Sequence, residues 1–184
     1  MAAAYLKPGR ISLYEDVNSR GSQVTIDQNI PNLANFDLAK RASSIVVNTG
    51  TWLACNEVNY NGNCLILESG NYNDLNKQRF NDQIVSLRRI ASTAELAKPS
   101  SIVFYEEPKQ QGKKASFVAE AADLNKFGMN DKATSLFIQA GNWLLCQDTN
   151  YQGYCTILGP GVYNDLSAID ERLTKQISSA RQIE

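Results

Sequence analysis

Short apolar segments alternate with turn-forming residues along the whole chain. Ile11-Ser12-Leu13-Tyr14 and Val24-Thr25-Ile26 predict two strands, and Ser43-Ser44-Ile45-Val46-Val47 predicts a third before a turn at residues 48–50. No apolar run approaches the roughly 18 residues expected of a membrane-spanning helix. The pattern predicts an all-β fold, with brief helical turns only in long loops, at residues 125–128 and 166–170.

One stretch of the chain occurs twice. Five residues recur 91 positions later, as Trp143, Cys146, Tyr151, Gly153 and Cys155; the first copies are Trp52, Cys55, Tyr60, Gly62 and Cys64. A finer repeat of 41 positions separates Gly21 from Gly62 and Gly112 from Gly153. The chain therefore contains four motifs of about forty residues, two in each half.

Strand, hairpin, strand and loop in each motif predict two Greek-key β-sandwich domains of two motifs each. Residues 1–10 are interpreted as an N-terminal extension, 11–91 as the first domain, 92–101 as a linker containing Lys98-Pro99, and 102–184 as the second domain. The repeated glycine of each motif permits positive φ where the hairpin folds over its sheet. A serine later in each motif is predicted to hydrogen-bond that folded backbone: Ser44, Ser86, Ser135 and Ser179.

Composition excludes several function classes. The chain has no histidine, so Ser-His-Asp and Cys-His nucleophiles and histidine-ligated metals are excluded. Its net charge of −1 argues against nucleic acid or an anionic membrane as a partner. Adjacent acids such as Glu106-Glu107 would point to opposite faces of a strand, so they do not form a catalytic pair. We therefore expect a protein that is not an enzyme.

The four cysteines form two pairs with the spacing C-x8-C. If each pair lies across a hairpin, a disulfide is geometrically possible, and the alternative is two pairs of free buried thiols. Disulfides would favour a secreted or extracellular protein, and free thiols a cytoplasmic one. Met1-Ala2-Ala3-Ala4 is too short for a signal peptide, so the sequence leaves the location open.

The motifs resemble the βγ-crystallin superfamily. Tyr14-Glu15-x5-Gly21 and Trp52…Tyr60-Asn61-Gly62 resemble its two hairpin signatures, and Gly70–Leu75 and Gly161–Leu166 resemble its G-x-Y-x-D-L stretch. The resemblance covers roughly residues 11–183. The C-x8-C hairpins are more similar to microbial-type, calcium-binding members than to vertebrate lens proteins.

The resemblance implies Ca²⁺ as a partner, bound through stretches of the form [N/D]-[N/D]-x-x-[S/T]-S that pair within a domain. Carboxylate, amide, hydroxyl and carbonyl oxygens suit this hard cation. The acid or amide at the second position of one stretch joins the hydroxyl at the fifth position of the other. This crossing predicts one site per domain, with the metal residues Ser43, Asn81 and Asp82 in the first and Asn130, Asp131 and Ser178 in the second.

The two complementary pairs join Lys40 to Val85 and Lys175 to Thr134. Each places an ammonium where the ion would lie, so two calcium ions are expected rather than four. Carbonyls near four hairpin positions are candidates to complete the shells: Glu15 or Asp16, Asn56 or Glu57, Glu106 or Glu107, and Gln147 or Asp148.

Two alternatives remain open from the sequence. The lysines would instead neutralise Asp82 or Asp131 by salt bridges, leaving both loops free of metal. Separately, the protein would be a secreted, disulfide-bonded interaction module that need not bind calcium, such as a toxin-like, inhibitory or surface-binding protein. Whether the domains pair within one chain or between chains is also open, so self-association is a further expectation.

Overall fold

A computed structural model describes residues 8–184, and the chain divides into two compact units, Met1–Ser92 and Thr93–Glu184. Among the described residues the regular structure consists of strands and single 3-10 turns, with no α-helix. The predicted all-β class is thereby confirmed. Residues 1–7 of the predicted N-terminal extension lie outside the described residues, and the first strand begins at Arg10.

The first unit contains a four-stranded sheet with the order β2-β1-β3-β6 and a second sheet in which β4 lies between β5 and β7. The strand that motif one adds to the second sheet is a single bridge from Ile30 to Leu87. The strands are β1 Arg10–Asp16, β2 Arg20–Ile26, β3 Ser44–Thr49, β4 Thr51–Cys55, β5 Gly62–Leu67, β6 Gly70–Tyr72 and β7 Ser86–Ile90. The 3-10 turns are Leu33–Asn35, Val58–Tyr60 and Leu75–Gln78.

The second unit repeats this plan, with one sheet in the order β14-β11-β8-β9 and another in which β10, β15, β12 and β13 pair in that order. In both units the sheets exchange strands between the two motifs, except that the second sheet of the first unit receives only the bridge at Ile30. The Greek-key sandwich was predicted from the sequence, whereas this exchange was not. The strands are β8 Ser101–Glu107, β9 Gln111–Val118, β10 Glu120–Ala121, β11 Ser135–Ile138, β12 Trp143–Asp148, β13 Gln152–Leu158, β14 Gly161–Tyr163 and β15 Ser179–Gln182. The 3-10 turns are Thr93–Glu95, Leu124–Phe127, Thr149–Tyr151 and Leu166–Ala168.

Each unit has its own apolar core around one tryptophan. Trp52 and Trp143 are fully buried, and their indole N–H groups donate to the carbonyls of Thr49 and Ala140, which are 91 positions apart. A buried indole therefore loses no hydrogen bond. Tyr60 and Tyr151 lie outside the cores, beneath the guanidinium groups of Arg88 and Arg181.

The folded hairpins confirm the predicted glycine and serine roles. Gly62 has φ of 87°, and a Cβ added there would lie 2.3 Å from Oδ1 of Asn56. The Ser86 hydroxyl donates to the Glu57 carbonyl at 2.7 Å and accepts from the Tyr60 N–H at 3.1 Å. Equivalent pairs of hydrogen bonds are made by Ser44, Ser135 and Ser179.

Both cysteine pairs are disulfides. Cys55 and Cys64 face each other directly across β4 and β5, and Cys146 and Cys155 do so across β12 and β13. All four residues are buried, and the described residues include no free cysteine. The disulfide reading of the spacing is therefore confirmed over the thiol reading.

Candidate metal sites

The second position of all four loop stretches has the same left-handed backbone. The stretches are residues 39–44 and 81–86 in the first unit, and 130–135 and 174–179 in the second. Asp82 and Asp131 have φ of 55° and 54°, and Lys40 and Lys175 have φ of 55° and 53°. Aspartate and asparagine tolerate this conformation better than most residues, whereas a lysine gains nothing from it. The backbone shape is therefore common to all four loops, and only the side chains distinguish them.

In the first unit the two loops exchange backbone hydrogen bonds. The Asp82 N–H donates to the Ala42 carbonyl at 3.0 Å, beside Ser43, and the Lys40 N–H donates to the Ile84 carbonyl at 3.1 Å, beside Val85. The second position of each loop thus lies next to the fifth position of the other. This arrangement brings Asp82 beside Ser43.

The second unit has the same exchange. The Asp131 N–H donates to the Ile177 carbonyl at 3.2 Å, and the Lys175 N–H donates to the Ala133 carbonyl at 2.9 Å. Here the side chains also meet, because the Ser178 hydroxyl donates to Oδ1 of Asp131 at 3.3 Å. In the first unit no hydrogen bond within residues 8–184 joins the Ser43 hydroxyl to Asp82.

A hairpin carbonyl lies close to the fifth position of each loop. The backbone N–H groups of Ser43 and Ser178 donate to the carbonyls of Tyr14 and Cys146, both at 2.9 Å. The strand register shifts immediately afterwards, so that Glu15 and Gln147 fall within β-bulges. A bulge residue leaves the ladder, and its carbonyl is then available to a ligand.

The equivalent bulge in the third motif shows where this carbonyl points. The Thr134 hydroxyl, at the fifth position of its loop, donates to the Glu106 carbonyl at 2.9 Å. The repeat predicts the corresponding places, beside Ser43 and Ser178, for the carbonyls of Glu15 and Gln147.

The asparagines at the first position orient the acids. Nδ2 of Asn81 donates to Oδ2 of Asp82, and Nδ2 of Asn130 donates to Oδ2 of Asp131, both at 2.7 Å. The Oδ1 atoms of both asparagines are buried without a hydrogen-bond partner among the described residues. Oγ1 of Thr174, the first residue of the fourth stretch, is likewise buried without a hydrogen-bond partner among the described residues. Such an atom is therefore not confined to the loops that carry an aspartate.

These residues fit a hard cation. Each site combines one exposed carboxylate, one half-buried or buried hydroxyl, and backbone carbonyls, all of which are oxygen donors. No cluster of three or more His, Cys, Asp or Glu side chains occurs among residues 8–184. A single carboxylate per site favours weak binding, with Kd of about 10⁻⁵ to 10⁻³ M, because affinity rises with ligand charge.

The lysines form no ion pair with these acids. Within the described part of the chain, Arg41 pairs with Glu15, Lys132 with Glu106, and Arg172 with Asp170, but no ion pair joins Lys40 or Lys175 to Asp82 or Asp131. The sequence-based alternative, in which Lys40 and Lys175 neutralise Asp82 and Asp131, therefore has no support in the side-chain contacts.

Sequence reasoning missed the basic residue at the third position of two loops. Arg41 pairs with Glu15, and Lys132, which is 91 positions later, pairs with Glu106 with their charged atoms 3.6 Å apart. The pKa of the Glu15 carboxyl is lowered by a hydrogen bond from the Ser22 side chain and by Arg41. The repeat could have indicated both pairs, because the two acids and the two basic residues are each 91 positions apart in the sequence.

A polar cluster in the last loop was also missed. Asp170 accepts hydrogen bonds from Arg172 and from the Tyr154 hydroxyl, and the Arg172 guanidinium lies 3.9 Å from the centre of the Tyr154 ring. Nε2 of Gln147 donates to the Arg172 carbonyl at 2.6 Å, which connects this loop to the bulge beside Ser178. The length of this loop could have indicated the cluster. Thirteen positions separate Leu166 from Ser179, whereas eleven separate Leu75 from Ser86 in the first unit.

The sequence profile of the Beta/Gamma crystallin family matches residues 10–90 and 101–183, one match in each unit. This chain belongs to the Beta/Gamma crystallin family. Human Beta-crystallin B2 is 28% identical over 178 residues, which cover 95% of this chain and 84% of the relative.

Two further relatives cover less of one chain or the other. The Epidermal differentiation-specific protein of Cynops pyrrhogaster is 33% identical over 135 residues, which cover 73% of this chain and 38% of that protein. The crystal structure of a betagamma-crystallin from an archaeon is 29% identical and covers 46% of this chain and all of its own, with a TM-score of 0.43. The profile match to residues 10–90 and 101–183 confirms the predicted superfamily, and the microbial calcium-binding subtype stays a prediction.

Proposed function

We propose that this crystallin is a structural, non-enzymatic protein that binds one calcium ion in each unit. Asp82 and Ser43 would hold the first ion, and Asp131 and Ser178 the second. The observation that carries the proposal is the exchange of backbone hydrogen bonds, which brings each acid-bearing loop against the loop that bears the hydroxyl. The contact between Ser178 and Asp131 supports it at the level of side chains.

The chemistry of each site follows from its residues. The Ser178 hydroxyl donates to Asp131 in the absence of an ion, and rotation of its proton away would present an oxygen lone pair to the cation. The Asn81 and Asn130 amides keep one carboxylate oxygen in place, which leaves the other for the metal. Because the ion binds the folded state, calcium would raise the stability of both units.

Isothermal titration with CaCl2 tests the proposal. The wild-type protein should bind two ions, and Asp82→Ala and Asp131→Ala should each lose one of them. Glu171→Ala, which removes an exposed acid outside both sites, serves as the matched control and should still bind two. Absence of heat with the wild type, or two ions bound by Asp131→Ala, would reject the proposed sites.

The disulfides support a second proposal, that the protein works in an oxidising compartment. Both cysteine pairs are joined in the structure, and such pairs are kept reduced in most cytosolic environments. A secreted interaction module that does not need calcium would share this property. Alkylation of the native protein in its own cells, without prior reduction, should label no thiol; labelling of all four would contradict this location.

Residues 8–184 contain no helix with the length and apolar character needed to span a membrane.

A further inference from the structure

The carbonyls expected at the two proposed calcium sites come from hairpins of different kinds. The site at Asp82 uses Ser43 and the bulge at Glu15, in the hairpin of β1 and β2, which has no cysteine. The site at Asp131 uses Ser178 and the bulge at Gln147, in the hairpin of β12 and β13. That hairpin contains a disulfide.

The disulfide lies directly beside the ligands of the second site. Cys146 pairs with Cys155 across the hairpin, and the register shift that frees Gln147 follows at the next residue. The Cys146 carbonyl also accepts the backbone N–H of Ser178 at 2.9 Å. The disulfide therefore joins the last regular residue pair of the ladder, directly before the Gln147 carbonyl and beside Ser178, the two expected ligands.

A second contact fixes the same bulge from outside the hairpin. Nε2 of Gln147 donates to the Arg172 carbonyl at 2.6 Å, in the loop whose Asp170 is held by Arg172 and Tyr154. In the first unit the disulfide-bonded hairpin instead faces the loop pair of Lys40 and Val85, because the Cys55 carbonyl accepts the Val85 N–H at 2.8 Å. No ion is expected at that pair.

We propose that the Cys146–Cys155 disulfide and the Gln147 side chain position the ligands of the Asp131–Ser178 site, so that calcium affinity there depends on this disulfide. Affinity at the Asp82–Ser43 site is independent of Cys55–Cys64. The inference rests on the proposed function. Its physical basis is that a carbonyl held in place before binding loses less conformational freedom when the ion arrives.

Single-site proteins separate the two affinities. Asp82→Ala keeps only the second site, and Asp131→Ala keeps only the first. Each protein is titrated with CaCl2, both with the disulfide of the unit that keeps its site and with that pair of cysteines replaced by alanine. Loss of Cys146–Cys155 should weaken calcium about tenfold, as removal of supporting contacts does at other metal sites. Loss of Cys55–Cys64 should change the Kd of the first site less than twofold. Far-UV circular dichroism and the melting temperature show whether each variant is folded.

A milder pair of variants keeps the test decisive if a cysteine variant does not fold. Gln147→Ala removes the contact with the Arg172 carbonyl and should weaken the second site severalfold. Asn56→Ala, the matched position in the first unit, removes the contact of Asn56 Oδ1 with the Asn63 N–H and should leave the first site unchanged. Equal losses at both sites, or no loss at the second site from either change, would overturn the inference. Absence of binding by Asp82→Ala itself would instead contradict the proposed function.

Discussion

In the first unit the acid of the proposed site stands in the later motif, at Asp82, whereas in the second unit it stands in the earlier motif, at Asp131. The lysines occupy the opposite places, at Lys40 and Lys175. Both arrangements use the same left-handed backbone and the same exchange of hydrogen bonds. The backbone frame is therefore symmetric, and the proposed sites differ from the lysine-bearing halves in their side chains.

The symmetry of the frame predicts equal costs for removing the two core tryptophans. Trp52→Ala and Trp143→Ala each leave a large cavity at a fully buried position and should each cost about 3–5 kcal/mol of unfolding free energy. Urea unfolding followed by circular dichroism measures the loss. Because the chain has two tryptophans, fluorescence of the remaining one reports the unaltered unit. Val162→Ala, at an exposed strand position, is the control, and a large inequality between the tryptophan variants would break the symmetry.

The hairpin serines offer a finer test of the same symmetry. Ser86→Ala and Ser179→Ala each remove a fully buried hydroxyl that bridges a carbonyl and an N–H of the folded hairpin. Each should cost about 1–3 kcal/mol, since both backbone groups lose a partner. Urea denaturation again provides the measurement, with Ser167→Ala as an exposed control. A loss below the error of the experiment would mean that water replaces the hydroxyl.

The lysines sharpen the comparison, because the loops that face them differ in the residue at the fifth position. Thr134 already supplies a hydroxyl beside Lys175, with the Glu106 carbonyl 2.9 Å away, whereas Val85 supplies none beside Lys40. Lys175→Asp should therefore create a third calcium site and stabilise the protein by about 1.4 kcal/mol when calcium is tenfold above its Kd. Lys40→Asp should not.

Titration calorimetry and calcium-dependent melting distinguish these outcomes. Lys40→Asp combined with Val85→Ser restores both missing features and should regain the site that Lys40→Asp alone does not. A third ion bound by Lys40→Asp alone would show that the hydroxyl is unnecessary. Failure of Lys175→Asp to bind a third ion would show that the frame needs more than an acid, a hydroxyl and a carbonyl.

The features that the sequence revealed are those that the repeat marks more than once, four times for the hairpin serines and twice for the cysteine pairs. The hairpin serines and the paired cysteines stand at matched spacings, so their contacts follow from a single folded-back unit. The pairing of Asp131 with Ser178 was available only through the family resemblance, because 47 positions separate the two residues. Local patterns carry no information about which loops meet across a sandwich.

What escaped sequence reasoning occurs in one motif only or depends on tertiary proximity. Gln147 touches Arg172 because the last loop folds back over β12, and no local pattern indicates that contact. The Ser43 hydroxyl makes no bond to Asp82, although the residue types match those of Ser178 and Asp131. Matching residue types therefore predict which loops lie side by side, but they do not predict the side-chain rotamer of the serine.

The smallest expected effect concerns the last loop of the second unit, which is two residues longer than its counterpart in the first unit. Burial raises the pKa of Asp170, but hydrogen bonds from Arg172 and Tyr154 outweigh it, and the net result is a lowered pKa. A carboxyl whose pKa is lower in the folded state stabilises the protein above its unfolded pKa, which is about 4. That contribution is lost as the pH falls through the folded pKa.

Asp170→Asn should therefore lower the melting temperature of the second unit slightly at pH 7, and the difference from wild type should shrink as the pH falls below about 4. Asn63 of the first unit occupies the position of Tyr154, so the first unit has no equivalent of this contact and its melting should not respond. Glu171→Gln removes the same charge from the same loop and is the control. Differential scanning calorimetry across this pH range measures both. If Glu171→Gln reproduced the effect, the loop would be responding to its overall charge, and the contacts of Asp170 would not be what distinguishes the second unit.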